Sequence, residues 1–330
     1  MKIPARRRWC CFLSVMLPLA ITASVFAAPD TRSERPLAER VEEHFTTNPT
    51  DDTKIHYVSL GEGPLLVMIH GFPDFWYSWA DQMETLSSQF RCVAIDCRGY
   101  NQSDKPQDVA SYDMSLLMGD ISAVIEDCGA KHATIVGHDW GGAIAWSLAL
   151  THPDQVDHLI VCNLPHPRGL KRELLINDQH RANTQYARDF QNSEAHKLLT
   201  ANGLVQILRG LAKRPWSEKK QAAYRQAFER SDFNGMLNYY RRNYNPELKE
   251  KAPLPYVDDE PVVKAKMPVL MFHGLQDTAL HHHALNETWE WVEKDLTIVT
   301  VPDAGHWVHH DAPELVSGTM SDWLQRRLER

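Results

Sequence analysis

An α/β fold is what these 330 residues predict: a largely parallel sheet with helices on both faces and a helical insertion late in the chain. Three observations carry that expectation. Seven short runs rich in Val, Ile and Leu alternate with helix-like stretches such as "SLLMGDISAVIEDCG" and "GGAIAWSLALTH". The runs are mostly apolar on both parities, the pattern of strands buried on both faces. The alternation then stops between about Pro167 and Pro253 and resumes at Pro268.

In chain order, the first element is a leader. "MKIPARRR" is a basic start, "WCCFLSVMLPLAITASVFAA" an apolar run, and Val25–Ala27 fits a small-residue cleavage site. A signal peptide over residues 1–27 is expected, with export to the periplasm or medium. Arg6-Arg7-Arg8 also permits a twin-arginine reading. The alternative is an uncleaved membrane anchor, since the run is about long enough to span a bilayer; Pro18 weakens that span slightly.

The strand-like runs are "KIHYVSLG", "PLLVMIHG", "RCVAIDC", "ATIVGHD", "HLIVCNL", "PVLMFHG" and "LTIVTVP". Five of them lead into segments with chemical content. "HGFPDFWYSW" follows the second run and "DCRGYNQSDKP" the third; the charges of the latter are read as scaffold. "GHDWGG" closes the fourth, "HGLQDTAL" puts Asp277 past the sixth, and "PDAGHWVHHDAPE" puts His306 past the seventh. The expected division is a core over 28–166, a helical cap over 167–253 and the rest of the core over 254–330. An insertion there lies above the strand ends, where an open α/β sheet makes its ligand crevice.

"GHDWG" has the spacing of a nucleophile elbow, with Asp139 where Ser or Cys is usual. A bland reading is a glycine-rich turn whose Asp caps the next helix. The order Asp139, Asp277, His306 favours nucleophile, acid and base instead. Backbone N–H groups of Phe72 and Trp140 are the expected oxyanion donors. A carboxylate is a poor acylating nucleophile, because its mixed anhydride is unstable. At an sp³ carbon it forms a stable alkyl ester and needs no base to ionise it. The electrophile is therefore an epoxide carbon or a carbon bearing halide.

From about Val41 onward the sequence resembles the α/β-hydrolase-fold epoxide hydrolases, on "HGFPDFWYSW", "DCRGYNQSDKP" and "GHDWGG" together. "GHDWGG" alone also fits the related haloalkane dehalogenases. The resemblance implies a mostly parallel eight-stranded sheet, a helical cap, and two cap tyrosines acting as acids. Tyr240 in "GMLNYYRRN" and Tyr186 in "QYARDFQ" match them. The sequence departs in having Ala80 where a basic residue often follows the tryptophan, and in a rather short cap. The implied activity is conversion of an epoxide to a vicinal diol with water, without metal or organic cofactor. A haloalkane or haloacid dehalogenase using the same triad is the alternative; Phe72 has no side-chain donor for a halide. A non-catalytic binding protein on this scaffold has no need of all five catalytic-type residues.

Composition narrows the partners. Net charge is −8, and the first 28 residues carry +4, leaving −12, which disfavours nucleic acid. Cys92, Cys97, Cys128 and Cys162 have no metal-like spacing, and no essential disulfide is expected. His281–His283 are read as no metal site, because adjacent histidines seldom all reach one ion. His309 and His310 are expected behind His306 or at the surface, and Trp76, Trp79 and Trp146 in the core or pocket wall.

Overall fold

The computed structural model describes residues 36–244, 251–252, 254 and 256–328. The expected leader, residues 1–27, lies outside the described residues. Eight strands form one sheet: Glu42–Thr47 (β1), Lys54–Leu60 (β2), Leu65–Ile69 (β3), Arg91–Ile95 (β4), Ala133–His138 (β5), Val156–Cys162 (β6), Val269–Gly274 (β7) and Leu296–Val301 (β8). Their order is β1-β2-β4-β3-β5-β6-β7-β8. Only β2 runs antiparallel to its neighbours; all other pairings are parallel. Seven strands match the apolar runs in the sequence. The eighth, β1 ("EEHFTT"), is a half-exposed edge paired to β2 alone, so its side chains have no two-sided burial to signal.

Helix α1 (Ala80–Leu86) connects β3 to β4, α2 (Met114–Asp127) β4 to β5, and α3 (Trp140–Thr151) β5 to β6. Between β6 and β7 lie α4 (Pro167–Ile176), α5 (Asp178–Asn183), α6 (Gln185–Asp189), α7 (Ala201–Leu211), α8 (Glu218–Arg230) and α9 (Phe233–Asn243); α10 (Val308–Asp311) and α11 (Pro313–Leu328) follow β8. The step from β3 to β4 runs toward one sheet edge, and the steps from β4 to β5 and β6 toward the other. Right-handed crossovers then put α1 on one face and α2 and α3 on the opposite one. The packing agrees: α1 lies on α11, and α2 on α3. The chain reverses direction at β3, which opens a crevice at the C-terminal ends of β3 and β5.

The helices start where side chains satisfy their first N–H groups. Asp113 caps α2, Thr200 α7, Ser217 α8 and Asp232 α9, each accepting a backbone N–H of the first turn; each cap stabilises by about 1 kcal/mol. The inserted helices are tied to the core at three loops. The Asp232 N–H donates to the Gly99 carbonyl (2.9 Å), the Tyr239 hydroxyl to the Arg98 carbonyl (3.0 Å), and the Tyr224 hydroxyl to Asp74 (2.8 Å). Cys92, Cys97, Cys128 and Cys162 are free thiols.

The loop after β4 is scaffold, as its sequence leads one to expect. Arg98 is buried and forks onto Asp120 (2.8 and 2.6 Å) while also holding Asp51 (2.7 Å). Asp96 accepts from the Trp76 N–H (3.0 Å) and the Asn101 side chain (2.7 Å). These bonds fix the loops on which α9 rests. Arg98→Ala leaves Asp120 buried without its cation and is expected to lower unfolding free energy by about 3–5 kcal/mol, measured by urea denaturation; a loss within a few tenths of a kcal/mol rules out this bracing.

Candidate active site

Asp139 sits between β5 and α3 with φ +50° and ψ −121°. That is an uncommon conformation for a residue with a side chain, costing about 1–3 kcal/mol. It opens α3 but makes no side-chain cap bond, so the capping reading fails. Its carboxylate points elsewhere: Oδ1 accepts the Phe72 N–H at 2.8 Å, and Oδ2 lies 3.4 Å from His306 Nε2. Two glycines make this approach possible. A Cβ on Gly71 would stand 2.4 Å from the Asp139 Cβ, and one on Gly141 would stand 2.1 Å from the Ile69 carbonyl oxygen. Trp140 is the first helical residue, and the first helical bond to Asp139 runs from the Ala143 N–H, so the Trp140 N–H belongs to the unmatched first turn.

His306 follows β8. Its Nδ1 meets Asp277 Oδ2 at 2.9 Å. Asp277, just past β7, also accepts the N–H groups of Ala279 (2.7 Å) and Leu280 (3.0 Å) and the side-chain amide of Asn163 (2.7 Å). Burial alone favours a neutral imidazole. The charges of Asp277 and Asp139 and the bonds to them outweigh it and raise His306 to about 10. Burial likewise pushes both carboxyls toward the acid form, yet His306 draws each below the usual carboxylate range. The resting triad is therefore one imidazolium between two carboxylates. His138, beneath it, is pushed down to about 3 by burial and donates from Nε2 to the His306 carbonyl (3.0 Å).

The inserted helices bring the two tyrosines over this triad. Tyr240 on α9 packs edge-on against Phe72 (ring centroids 5.5 Å) and Trp140 (5.0 Å), and Tyr186 on α6 lies 6.0 Å from Tyr240. Burial, then the Asp139 charge, hold both phenols well above their ordinary range. Both remain hydrogen-bond donors. Two cavities meet at the triad, of about 390 and 380 Å³. Asp139, Tyr186 and Tyr240 are the residues common to both linings. His306, Leu204 and Leu211 line the first, and Trp140, Leu170 and Leu280 the second.

All seven site residues singled out in the sequence thus fall together. Four others were not singled out. Asn163 ends β6, a strand-end position that marks a crevice residue. Gly71 precedes the Phe72 donor. Gln191, directly after Phe190, donates to the Tyr240 carbonyl (3.1 Å) and so ties α6 to α9. Asp74 accepts from Ser78 (2.8 Å) as well as Tyr224, and burial raises it to about 6. Around it, His309 and His310 are buried with the Ser78 hydroxyl between them (2.9 and 3.1 Å). His281–His283, read from the sequence as no metal site, lie close together in the structure. A tight turn over His282–Leu285 brings one ring nitrogen of each within 4.8 Å of the others. His281 Nδ1 is already engaged by the His283 N–H at 3.2 Å.

Residues 64–313 match the family described as the alpha/beta hydrolase fold. The chain belongs to that family. Within it, the chain is 33% identical to epoxide hydrolase 1 of Caenorhabditis elegans, over 83% of this chain and 68% of that protein. It is 31% identical to the AB hydrolase superfamily protein YfhM of Bacillus subtilis, over 84% of this chain and 96% of that one. The crystal structure of Bacillus megaterium epoxide hydrolase in complex with an inhibitor superposes with a TM-score of 0.75 at 32% identity, covering 86% of this chain and all of that one. The sequence resemblance to the epoxide hydrolases of this family is borne out.

The triad's charge balance is testable without substrate. Asp139→Asn removes one of the two charges that raise His306, so the His306 pKa is expected to fall below its wild-type position. Imidazole NMR titration reads this; an unchanged value contradicts the coupling.

Proposed function

We propose that this enzyme converts an epoxide to a vicinal diol through an alkyl ester on Asp139. The observation that carries the reading is the pairing of two protonated tyrosines with a buried carboxylate across one cavity junction. The names of the related proteins point the same way.

In the first step an Asp139 carboxylate oxygen bonds a ring carbon, and the ring C–O bond breaks with its electron pair going to oxygen. Tyr186 and Tyr240 hydrogen-bond that oxygen, and one of them supplies its proton. Esterification removes the Asp139 charge, so His306 loses one of the two partners that hold its second proton. That proton replaces the one given up by the tyrosine. Neutral His306, still oriented by Asp277, then takes a proton from water attacking the Asp139 ester carbonyl. The N–H groups of Phe72 and Trp140 receive the oxyanion; losing one such donor typically costs about 3 kcal/mol. On collapse the diol oxygen leaves with the proton from His306, and the new Asp139 carboxyl returns its own proton to His306. The cycle closes with atoms and charge balanced.

Two cavities of similar size on either side of the nucleophile suit an epoxide substituted on both ring carbons, one arm in each. A dehalogenase needs a halide donor, and at Phe72 only the backbone N–H is offered, already engaged by Asp139.

A panel of internal epoxides, terminal epoxides and haloalkanes tests the reading. The expected result is diol from epoxides, higher kcat/KM for internal ones, and little halide release. Faster halide release than diol formation reverses the assignment. His306→Gln should stop at the ester, giving an intact-mass increase equal to the epoxide mass. Absence of that adduct with epoxide bound contradicts the two-step scheme.

A further inference from the structure

Asp74 is fully buried, yet its carboxyl has no ion-pair partner among the described residues. Its Oδ1 accepts the Tyr224 hydroxyl (2.8 Å) and the Phe75 N–H (3.0 Å), and its Oδ2 accepts the Ser78 hydroxyl (2.8 Å). Tyr224 belongs to α8, whereas Asp74 belongs to the core segment that carries the Phe72 N–H. The carboxyl is therefore a joint between the core and the inserted helices. α8 and the loop before it have other ties. Arg230 donates to Asn101 (2.7 Å), the Lys213 N–H donates to Asp311 (2.9 Å), and Arg214 pairs with Glu314 at the surface. Of these bonds only that of Tyr224 to Asp74 is fully buried. α8 packs on α7, and Arg225 joins the two through Asn202 (2.7 Å). Leu204, Ile207 and Leu211 of α7 line the first cavity.

The joint accommodates either protonation state. The Ser78 hydroxyl lies 2.8 Å from Asp74 Oδ2 and 2.9 Å from His309 Nε2. It can donate to an ionised Asp74, or accept from a protonated one while donating to His309. His309 Nδ1 has no hydrogen-bond partner, so no second bond pins the tautomer. The negative charge itself is poorly answered, and burial raises Asp74 to about 6. From α8 it faces Tyr224 and Lys220, from α10 His309 and His310, and from the loop after β4 Tyr100. Burial holds both phenols well above and both imidazoles well below their ordinary values. Lys220 lies over the rings of Trp216 and Tyr224, 4.6 and 5.8 Å from their centroids, rather than on the carboxylate. An ionised Asp74 is relieved by reaching water. We propose that Asp74 is a proton-operated latch: protonated, it holds α8 and α7 closed over the first cavity, and ionised, it lets them lift. The closed state binds the proton more tightly than the open one. The latch is therefore tightest below the ordinary carboxylate value of 3.8, loosens as pH rises through about 6, and changes no further above that.

Hydrogen exchange followed by mass spectrometry, corrected for the intrinsic effect of pH, tests this on the chain from Ala28 onward, which contains every described element. Peptides of α8 are expected to open more readily than those of β5 at every pH. Opening of α8 should rise roughly tenfold to a hundredfold between about pH 4 and about pH 7. Asp74→Asn keeps an acceptor for Tyr224 but has no proton to lose, so the rise should vanish while β5 stays protected. Tyr224→Phe removes a bond that favours the ionised carboxyl, so the midpoint of the rise should move to higher pH. A merely structural contact would not move it. The latch is overturned by a rise that persists in Asp74→Asn, by a midpoint unmoved in Tyr224→Phe, or by an α8 that opens only together with β5. A rise that disappears in Lys220→Met with Asp74 intact assigns the titration to Lys220 and also overturns it. The exchange is read without substrate, so the outcome is separate from that of the proposed activity.

Discussion

His306 lies between Asp139 and Asp277, 3.4 and 2.9 Å from their oxygens, with all three groups withdrawn from water. An unpaired charge is not tolerated in such a place, and a single imidazolium answers two carboxylates only because other donors share the load. Asp277 receives two backbone N–H groups and the Asn163 amide; Asp139 receives the Phe72 N–H. The charges hold each other in place, and the arrangement is poised. Neutralising Asp139 removes a large part of what keeps His306 protonated, so in the proposed ester route formation of the ester and creation of a base are one event.

The backbone is shaped around that carboxylate. The positive φ at Asp139 turns its side chain away from capping α3 and toward the crevice between β3 and β5, where the sheet order reverses. Gly71 and Gly141 leave the space for it. The other half of the site comes from the helices between β6 and β7, and its position depends on a few polar ties. Gln191 joins the two tyrosine-bearing helices, while Tyr239 and Tyr224 fasten them to the Arg98 and Asp74 loops. Asp74 follows Phe72 by two residues, so the same segment carries the N–H that Asp139 accepts and a tie to the inserted helices.

Much of this was legible in the sequence because strands buried on both faces declare themselves by unbroken apolar runs, and because the candidate site residues follow such runs at strand ends. Asp139, Asp277 and His306 stand out for that reason. β1 does not, since an edge strand with one partner carries polar residues freely. Asn163 and Gln191 escaped for a different reason. An amide acts through what it bonds to, and its partners, Asp277 and the Tyr240 carbonyl, are 114 and 49 residues away. The charge state of His306 was equally out of reach, because it is set by two carboxylates that only folding brings together. The clustering of His281–His283 depends on the local turn over His282–Leu285, which spacing alone does not declare.

The covalent route has a direct isotopic signature. In a single turnover with enzyme in excess in ¹⁸O-water, the ester scheme sends the water oxygen to the Asp139 carboxyl. The first diol released then carries unlabelled oxygen, and the peptide containing Asp139 gains label. Diol labelled in that first turnover, with Asp139 unlabelled, means that water opened the ring directly and contradicts the account.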